Sequence, residues 1–356
     1  MPKVGSSTVN CLFGIIKPSG PASMSVVNSL KPLLSSSSLF YAENLKSKKG
    51  GNSKKFSKRS LKHMIKIGTG GTLDPLADGV LVLGIGEGTK QLGKFLDCVK
   101  EYQTTCLLGC ETDTYDSQGI RVREAPWSHV TRTKIEQVLD SFRGEIMQTP
   151  PIFSALKMDG RPLYEYAREG IPLPKPIPPR KVTVHSLEVV DWLEGHSHQY
   201  QWPEKTMSAT AKQKLKQAVA GITGSASSTA LDDDPDPKSS TDDTDGGDDD
   251  KPHPPAFILK MTVSGGTYVR SIAHDIGHAV GSAAYVVTLT RLRQGDFTLS
   301  PEKDRDKSCV PWEVFEQAIK ENENDEETAD KDEQGHRKWE NEVLDKLVLY
   351  EPSNSS

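Results

Sequence analysis

Phe257-Ile258-Leu259-Lys260-Met261-Thr262-Val263 decides how this chain is assembled. Its large apolar and β-branched residues read as a strand. The segment before it, Gly224 to Pro255, is Ser, Thr, Asp, Gly and Pro with almost nothing to bury, too little to offset its chain entropy. The strand must therefore find partners further upstream, where Val80 to Leu83, Tyr102 to Leu108 and Lys181 to Val190 are strand-like. Helical spacing occurs at Lys134 to Phe142, Leu163 to Arg168 and Arg270 to Val280. Without a regular strand–helix–strand alternation, the pattern favours an α+β fold. The expected organisation is one discontinuous domain over 11–201 and 256–299. A basic insertion at 46–62, an acidic insertion at 224–255 and an acidic tail at 300–356 surround it. Within that tail, Trp339 to Tyr350 is expected to dock as a short helix.

Charge points to the partner. The net charge is -5, but 232–250 carries -9 and 321–335 carries -7, leaving +11 on the remainder. Seven Lys and one Arg crowd 46–62, with no acid among them. A basic body of this kind suits a polyanion such as RNA. The five cysteines (Cys11, Cys98, Cys106, Cys110, Cys309) show no regular framework, which fits a reducing compartment. No apolar run approaches the ~18 residues that would span a bilayer, and Met1 to Gly20 lacks a secretory pattern. The expectation is a soluble, intracellular monomer with no membrane partner. The basic stretch argues for the nucleus, with the cytoplasm and mitochondrion as other destinations.

Chemistry concentrates in Gly68-Thr69-Gly70-Gly71-Thr72-Leu73-Asp74-Pro75-Leu76-Ala77-Asp78-Gly79-Val80-Leu81. Three glycines allow close backbone approach, and Pro75 biases Asp74 towards extended geometry, presenting its carboxylate on a loop. Such a carboxylate can act as nucleophile or base, although an ordinary Asp-Pro turn would look the same. Gly84-Ile85-Gly86-Glu87-Gly88-Thr89-Lys90 imitates a nucleotide loop, but Thr precedes Lys and the third fingerprint Gly is missing. His274 and His278 stand one helical turn apart, as in zinc hydrolases, but the sequence offers no convincing third ligand. No metal and no cofactor are expected. In Ser264-Gly265-Gly266-Thr267-Tyr268-Val269-Arg270, the Tyr can stack on a base and the Arg can pair with a carboxylate.

Taken together, these segments resemble the TruB family of tRNA pseudouridine-55 synthases, of the eukaryotic type lacking a PUA domain. Gly70 to Ala77 is similar to that family's catalytic loop. Lys17-Pro18 with Gly20 and Ser23 resembles the motif supporting it. Lys100-Glu101-Tyr102, Gly109 with Thr112-Asp113-Thr114 and Asp116, and Gln148 through Arg168 resemble its middle motifs. Gly266 to Arg270 and Leu289-Thr290-Arg291-Leu292-Arg293 resemble the late ones. Thr69 departs from the pattern, standing where many members carry a His.

The resemblance implies a pseudouridine synthase catalytic fold with a mixed, largely antiparallel central sheet flanked by helices. It also implies a reaction, the isomerisation of uridine 55 in the tRNA T loop after base flipping, with mRNA as a further candidate substrate. Asp74, Tyr102 and Arg270 would be catalytic: Asp74 attacking C1′ or C6, Arg270 keeping it ionised, Tyr102 stacking on the base and removing the C5 proton. Tyr268, Leu289, Lys17, Thr69, Asp116 and Arg291 would contact the substrate. The competing classes are a non-catalytic T-arm binder or chaperone on the same fold, and a metallohydrolase built on His274 and His278.

Overall fold

The computed structural model describes residues 9–37, 39–40, 65–219, 253–323 and 331–350. The basic insertion 46–62, nearly all of the acidic insertion 224–255 and the middle of the acidic stretch 321–335 lie outside the described residues.

In chain order the strands begin with β1 (Cys11–Lys17), β2 (Ile67–Thr69), β3 (Asp78–Ile85), β4 (Lys100–Leu108) and β5 (Cys110–Thr112). Next come β6 (Arg121–Glu124), β7 (Gly144–Gln148), β8 (Lys157–Met158), β9 (Arg161–Pro162) and β10 (Arg180–Leu193). The last are β11 (Ala256–Val263), β12 (Ala284–Gln294), β13 (Phe297–Thr298), β14 (Lys307–Pro311) and β15 (Val348–Leu349). The helices are α1 (Ser23–Ser36), α2 (Gly93–Asp97), α3 (Arg132–Val138) and α4 (Leu163–Glu169), followed by α5 (Ala209–Val219), α6 (Val269–Ala279), α7 (Trp312–Glu323) and α8 (Lys338–Lys346). The chain forms two compact units: Met1–Tyr102, Ser264–Gly266 and Leu289–Ser356 make the first, and Gln103–Val263 with Thr267–Thr288 the second. Strands β4 and β12 each contribute residues to both.

In the first unit the strand order is β2-β3-β1-β14-β13-β12. β1 pairs antiparallel with β3, Ile15 opposite Leu81, and parallel with β14, Ile15 opposite Val310. Paired on both edges, β1 is almost wholly buried, as the apolar run CLFGIIK requires. Its alternate residues serve two cores. Leu12 packs with Val80, Val82, Leu92 and Phe297, while Phe13 lies 6.3 Å from Phe315 of α7, ring centre to ring centre.

That second core corrects the expected boundary at Leu299. The segment beyond is no tail. β14 sits between β1 and β13, β15 pairs with β1, and Val310, Phe315, Ala318, Trp339 and Val343 are buried. Among the described residues, exposed acids such as Glu313, Glu316, Asp332 and Glu333 dilute a core stripe that is present nonetheless, while Glu340 is itself buried.

In the second unit the order is β12-β4-β11-β10-β7, with β11 and β7 both antiparallel to β10. β11 alternates as a half-covered strand should: Phe257, Leu259, Met261 and Val263 are buried and Lys260 is exposed. The folded chain also passes Gln201, the other expected boundary. The Trp202 indole donates to Leu108 O at 2.9 Å, and Met207 N donates to Arg121 O at 2.8 Å. The sheet pairings are mixed and mostly antiparallel, with helices interspersed, giving the α+β class read from the sequence. Among the described residues no helix is long and apolar enough to cross a membrane.

Candidate active site

Asp74 sits half-buried on the loop between β2 and β3, in the first unit. Asp74-Pro75-Leu76-Ala77 is a tight turn closed by Ala77 N donating to Asp74 O at 3.1 Å. The rest of the loop is held through its main chain. Gly70 N donates to Val82 O, and the fully buried Gln294 amide donates to Gly70 O at 2.5 Å and Phe95 O at 3.2 Å. Ser23, at the start of α1, grips Leu73 twice: its Oγ accepts from Leu73 N at 2.9 Å and donates to Leu73 O at 3.0 Å. Gly20 N donates to Pro75 O and Ser19 Oγ to Leu76 O.

Two buried cations complete this support. The ammonium of Lys17, wholly inaccessible, donates to Pro18 O and Ala77 O at 2.7 Å each and to Pro75 O at 3.4 Å. Burial pulls its pKa down to about 8, against the opposing pull of Asp78 and Asp74, and Arg291 pushes it down further. Arg291, 1% exposed, donates from Nε to Val80 O at 2.7 Å and from Nη1 to Thr72 O at 3.5 Å. Arg291 reaches the loop because β12 pairs with β3 at Gly79. Gly79 has φ +96°, and a Cβ there would lie 2.3 Å from Arg291 O. Only glycine meets both conditions. Lys17 and Arg291, both read from the sequence as substrate contacts, are buried and spend their hydrogen bonds on the main chain of this loop and its flanks.

In the second unit, Tyr268 caps the N-terminus of α6 and Arg270 lies in its first turn. Gln148 fixes Tyr268 from both sides, accepting from its N–H at 2.7 Å and donating to its carbonyl at 3.1 Å. The buried guanidinium of Arg270 donates to Thr114 O at 2.6 Å and Phe153 O at 3.1 Å, and its Nε lies 3.8 Å from the Asp116 carboxylate. Asp116 is itself buried, accepting at Oδ1 from Thr114 Oγ1 at 2.7 Å and Gln118 N at 3.0 Å. Its place is therefore under Arg270, as an internal support. Tyr102 in β4 and Leu289 in β12 are both buried, and Thr69 ends β2, half-exposed.

Other candidate chemistry falls away or changes. The glycines of Gly84 to Lys90 serve packing: a Cβ on Gly88 would lie 2.2 Å from Cys11 O, so the turn seats against β1 with no room for a phosphate there. Burial pushes the thiols of Cys11, Cys106, Cys110 and Cys309 up to about 12, which leaves them protonated and poorly nucleophilic. His274 and His278 do meet a third group, the buried carboxylate of Glu111, at 3.1 and 3.2 Å. Burial would lower the His274 pKa, but Asp275 and Glu111 raise it to about 9. Glu111 gave no signal in sequence, since it lies far from both histidines along the chain. Gln294 was also missed, although it stands directly after the Leu289–Arg293 motif.

The TruB family pseudouridylate synthase N-terminal domain matches residues 58–207. tRNA pseudouridine synthase 4 of Schizosaccharomyces pombe is 39% identical over 340 residues, covering 85% of this chain and 82% of that protein. The Saccharomyces cerevisiae protein of the same name is 37% identical over 316 residues, covering 82% and 78%. Pseudouridylate synthase TRUB1 of Mus musculus is 35% identical over 289 residues, covering 81% of this chain and 64% of that protein. Identity at this level along most of both chains, with the buttressed Asp74 loop inside the matched domain, carries one conclusion: this chain belongs to the TruB family of pseudouridylate synthases, enzymes that isomerise uridine to pseudouridine.

Proposed function

We propose that this enzyme converts uridine 55 in the T loop of tRNA to pseudouridine, with Asp74 as its covalent catalyst. The observation that carries the reading is the construction of the Asp74 loop, whose main chain is gripped by Ser23, Lys17, Gln294 and Arg291. A loop fixed in this way presents one carboxylate in a constant position, as a reaction through a short-lived glycosyl or base adduct demands. Supporting the substrate class are the relatives named tRNA pseudouridine synthase and the +11 charge of the chain outside its two acidic stretches.

In this reading the target nucleotide leaves the base stack before reaction. Asp74 attacks C1′ or C6, the N1–C1′ bond breaks, the uracil turns and its C5 joins C1′. The bond to Asp74 breaks, and C5 loses a proton while N1 gains one. As the resemblance implies, Arg270 serves to keep the Asp74 carboxylate ionised, Tyr102 stacks on the uracil and takes the C5 proton, and Tyr268 and Leu289 exclude water. The backbone held by Lys17, Ser23 and Arg291 keeps the carboxylate from drifting as the base turns.

Asp74→Asn tests it, with pseudouridine mapped at every position of a tRNA transcript. Loss of modification by at least about 1,000-fold is expected, with RNA affinity within about threefold of wild type. Modification retained at position 55 in that variant would remove Asp74 from the chemistry. Wild-type modification confined to another uridine would remove the T loop as target.

A further inference from the structure

We propose that Glu111, His274 and His278 form a binding site for one divalent transition-metal ion of the zinc type, separate from the isomerisation chemistry. Glu111 lies in β5, and the two histidines stand one turn apart on α6, all within the second unit. One donor atom from each lies within 4.8 Å of the others. His274 Nε2 is 3.1 Å from Glu111 Oε1 and His278 Nε2 is 3.2 Å from Glu111 Oε2. In tetrahedral zinc with bonds of about 2.0–2.1 Å, neighbouring ligand atoms lie roughly 3.3–3.4 Å apart. Each histidine is thus near that spacing from one oxygen of Glu111, and side-chain rotation can draw donors that lie within 4.8 Å onto one ion.

The surroundings match a metal site as well. His274 Nδ1 is 2.9 Å from Asp275 Oδ1, a contact that keeps a proton on Nδ1, so the ion would bind Nε2 by displacing the proton shared with Glu111. A carboxylate behind a ligating imidazole is the usual outer support of such sites. Tyr115 stacks on the His274 ring at 3.9 Å, walling that side. Two imidazoles and one carboxylate suit zinc and its neighbours better than magnesium or calcium, which prefer oxygen alone.

Arg123 is the rival occupant. Its Nε lies 3.1 Å from Glu111 Oε2 and its Nη2 3.2 Å from His278 Nε2. A guanidinium and a metal ion cannot both take those atoms. The side chains of Arg123 and His278 are 24% and 25% exposed, so this edge faces solvent. For the ion to enter, the guanidinium must swing outward and release Ser282 O, to which Nη2 donates at 3.1 Å. The bound ion would tie β5 to α6. It would also steady, through Tyr115, the turn that offers Thr114 O and Asp116 to Arg270.

The test uses full-length protein stripped by a chelator and titrated with Zn2+ against a chromogenic competitor. One equivalent should bind in the submicromolar range. His278→Asn, at a partly exposed position, should weaken it by at least about 100-fold while the far-ultraviolet circular dichroism stays unchanged. Asp275→Asn should weaken it by about 10–100-fold. Arg123→Ala should tighten it by about tenfold, since the competing cation is gone; weaker binding there would overturn the assigned geometry. No zinc retained by wild type, or equal retention in His278→Asn and Glu111→Gln, would overturn the site and leave the cluster as an ion-pair network.

Discussion

Lys17 and Arg291 turn buried charges to main-chain carbonyls, whereas Glu111 and His274 are buried against each other, with Arg123 and His278 at a partly exposed edge. The two arrangements answer burial with opposite shifts. Carbonyl dipoles compensate Lys17 only in part, so burial draws its pKa down to about 8 despite Asp78 and Asp74. Burial acts on His274 too, but the carboxylates of Asp275 and Glu111 outweigh it and raise the pKa to about 9. A partner's formal charge, more than depth, decides which protonation state a buried group keeps. Each arrangement also suits what it holds. Carbonyl-directed cations fix the path of a loop whatever its side chains.

Arg270 combines both modes, with two carbonyl contacts and a nearby carboxylate, and it offers the strongest way to break the comparison. Arg270→Lys keeps the charge but cannot make the same forked contacts. A fall in kcat of at least about 100-fold, near 3 kcal/mol, is expected in single-turnover pseudouridine formation. Near-wild-type turnover would show that charge alone suffices and that the carbonyl contacts are incidental.

Gly79→Ala strikes the carbonyl-clamped loop through its backbone. The new Cβ would meet Arg291 O at 2.3 Å from a φ of +96°. A loss of about 2–4 kcal/mol is expected in urea unfolding, combining overpacking with left-handed strain. A change under 1 kcal/mol would mean that β12 can withdraw from β3 freely, contrary to a fixed clamp.

Lys17→Met sharpens the contrast by pH. In the unfolded chain Lys titrates near its ordinary value of 10.5; in the folded protein its pKa is about 8. Between those values the unfolded state holds the extra proton, so wild-type stability rises with pH. Below pH 8 both states are protonated and the burial penalty is fully present. The variant has no such group. Its deficit relative to wild type should therefore grow by about 1–2 kcal/mol from pH 7.5 to 9.5, measured as paired unfolding curves. A deficit that shrinks over that window would mean Lys17 gains its proton on folding.

How much of this was legible follows from what sequence can encode. β11 was readable because Phe257, Leu259, Met261 and Val263 alternate with less buried residues, and the period of two survives in one dimension. The Asp74 loop was readable as a motif, and Lys17 and Ser23 as part of its support. Their actual contacts, a cation on Ala77 O and a hydroxyl straddling Leu73, run to main-chain atoms and leave no pattern of residue types. The segment after Leu299 was misread because Val310, Phe315, Trp339 and Val343 are scattered among acids, most of the described ones exposed or half-exposed. Glu111 could not be matched to His274, since their contact bridges 163 positions.

Ser23 gives the smallest expected effect and the cleanest test of the clamp. Its hydroxyl makes two hydrogen bonds to one residue, Leu73, directly before the catalytic candidate. Ser23→Ala removes both without changing charge or introducing bulk, at a cost of about 1–2 kcal/mol in stability. If the loop's path is what fixes the Asp74 carboxylate, kcat should drop by about 5–20-fold while KM for tRNA stays within about twofold. Ser23→Thr, which restores the hydroxyl, should recover most of the rate. A merely structural hydroxyl would lower stability in the alanine variant and leave kcat unmoved, since enough folded enzyme remains at assay temperature. Equal falls in kcat for Ala and Thr would assign the effect to packing around α1 instead.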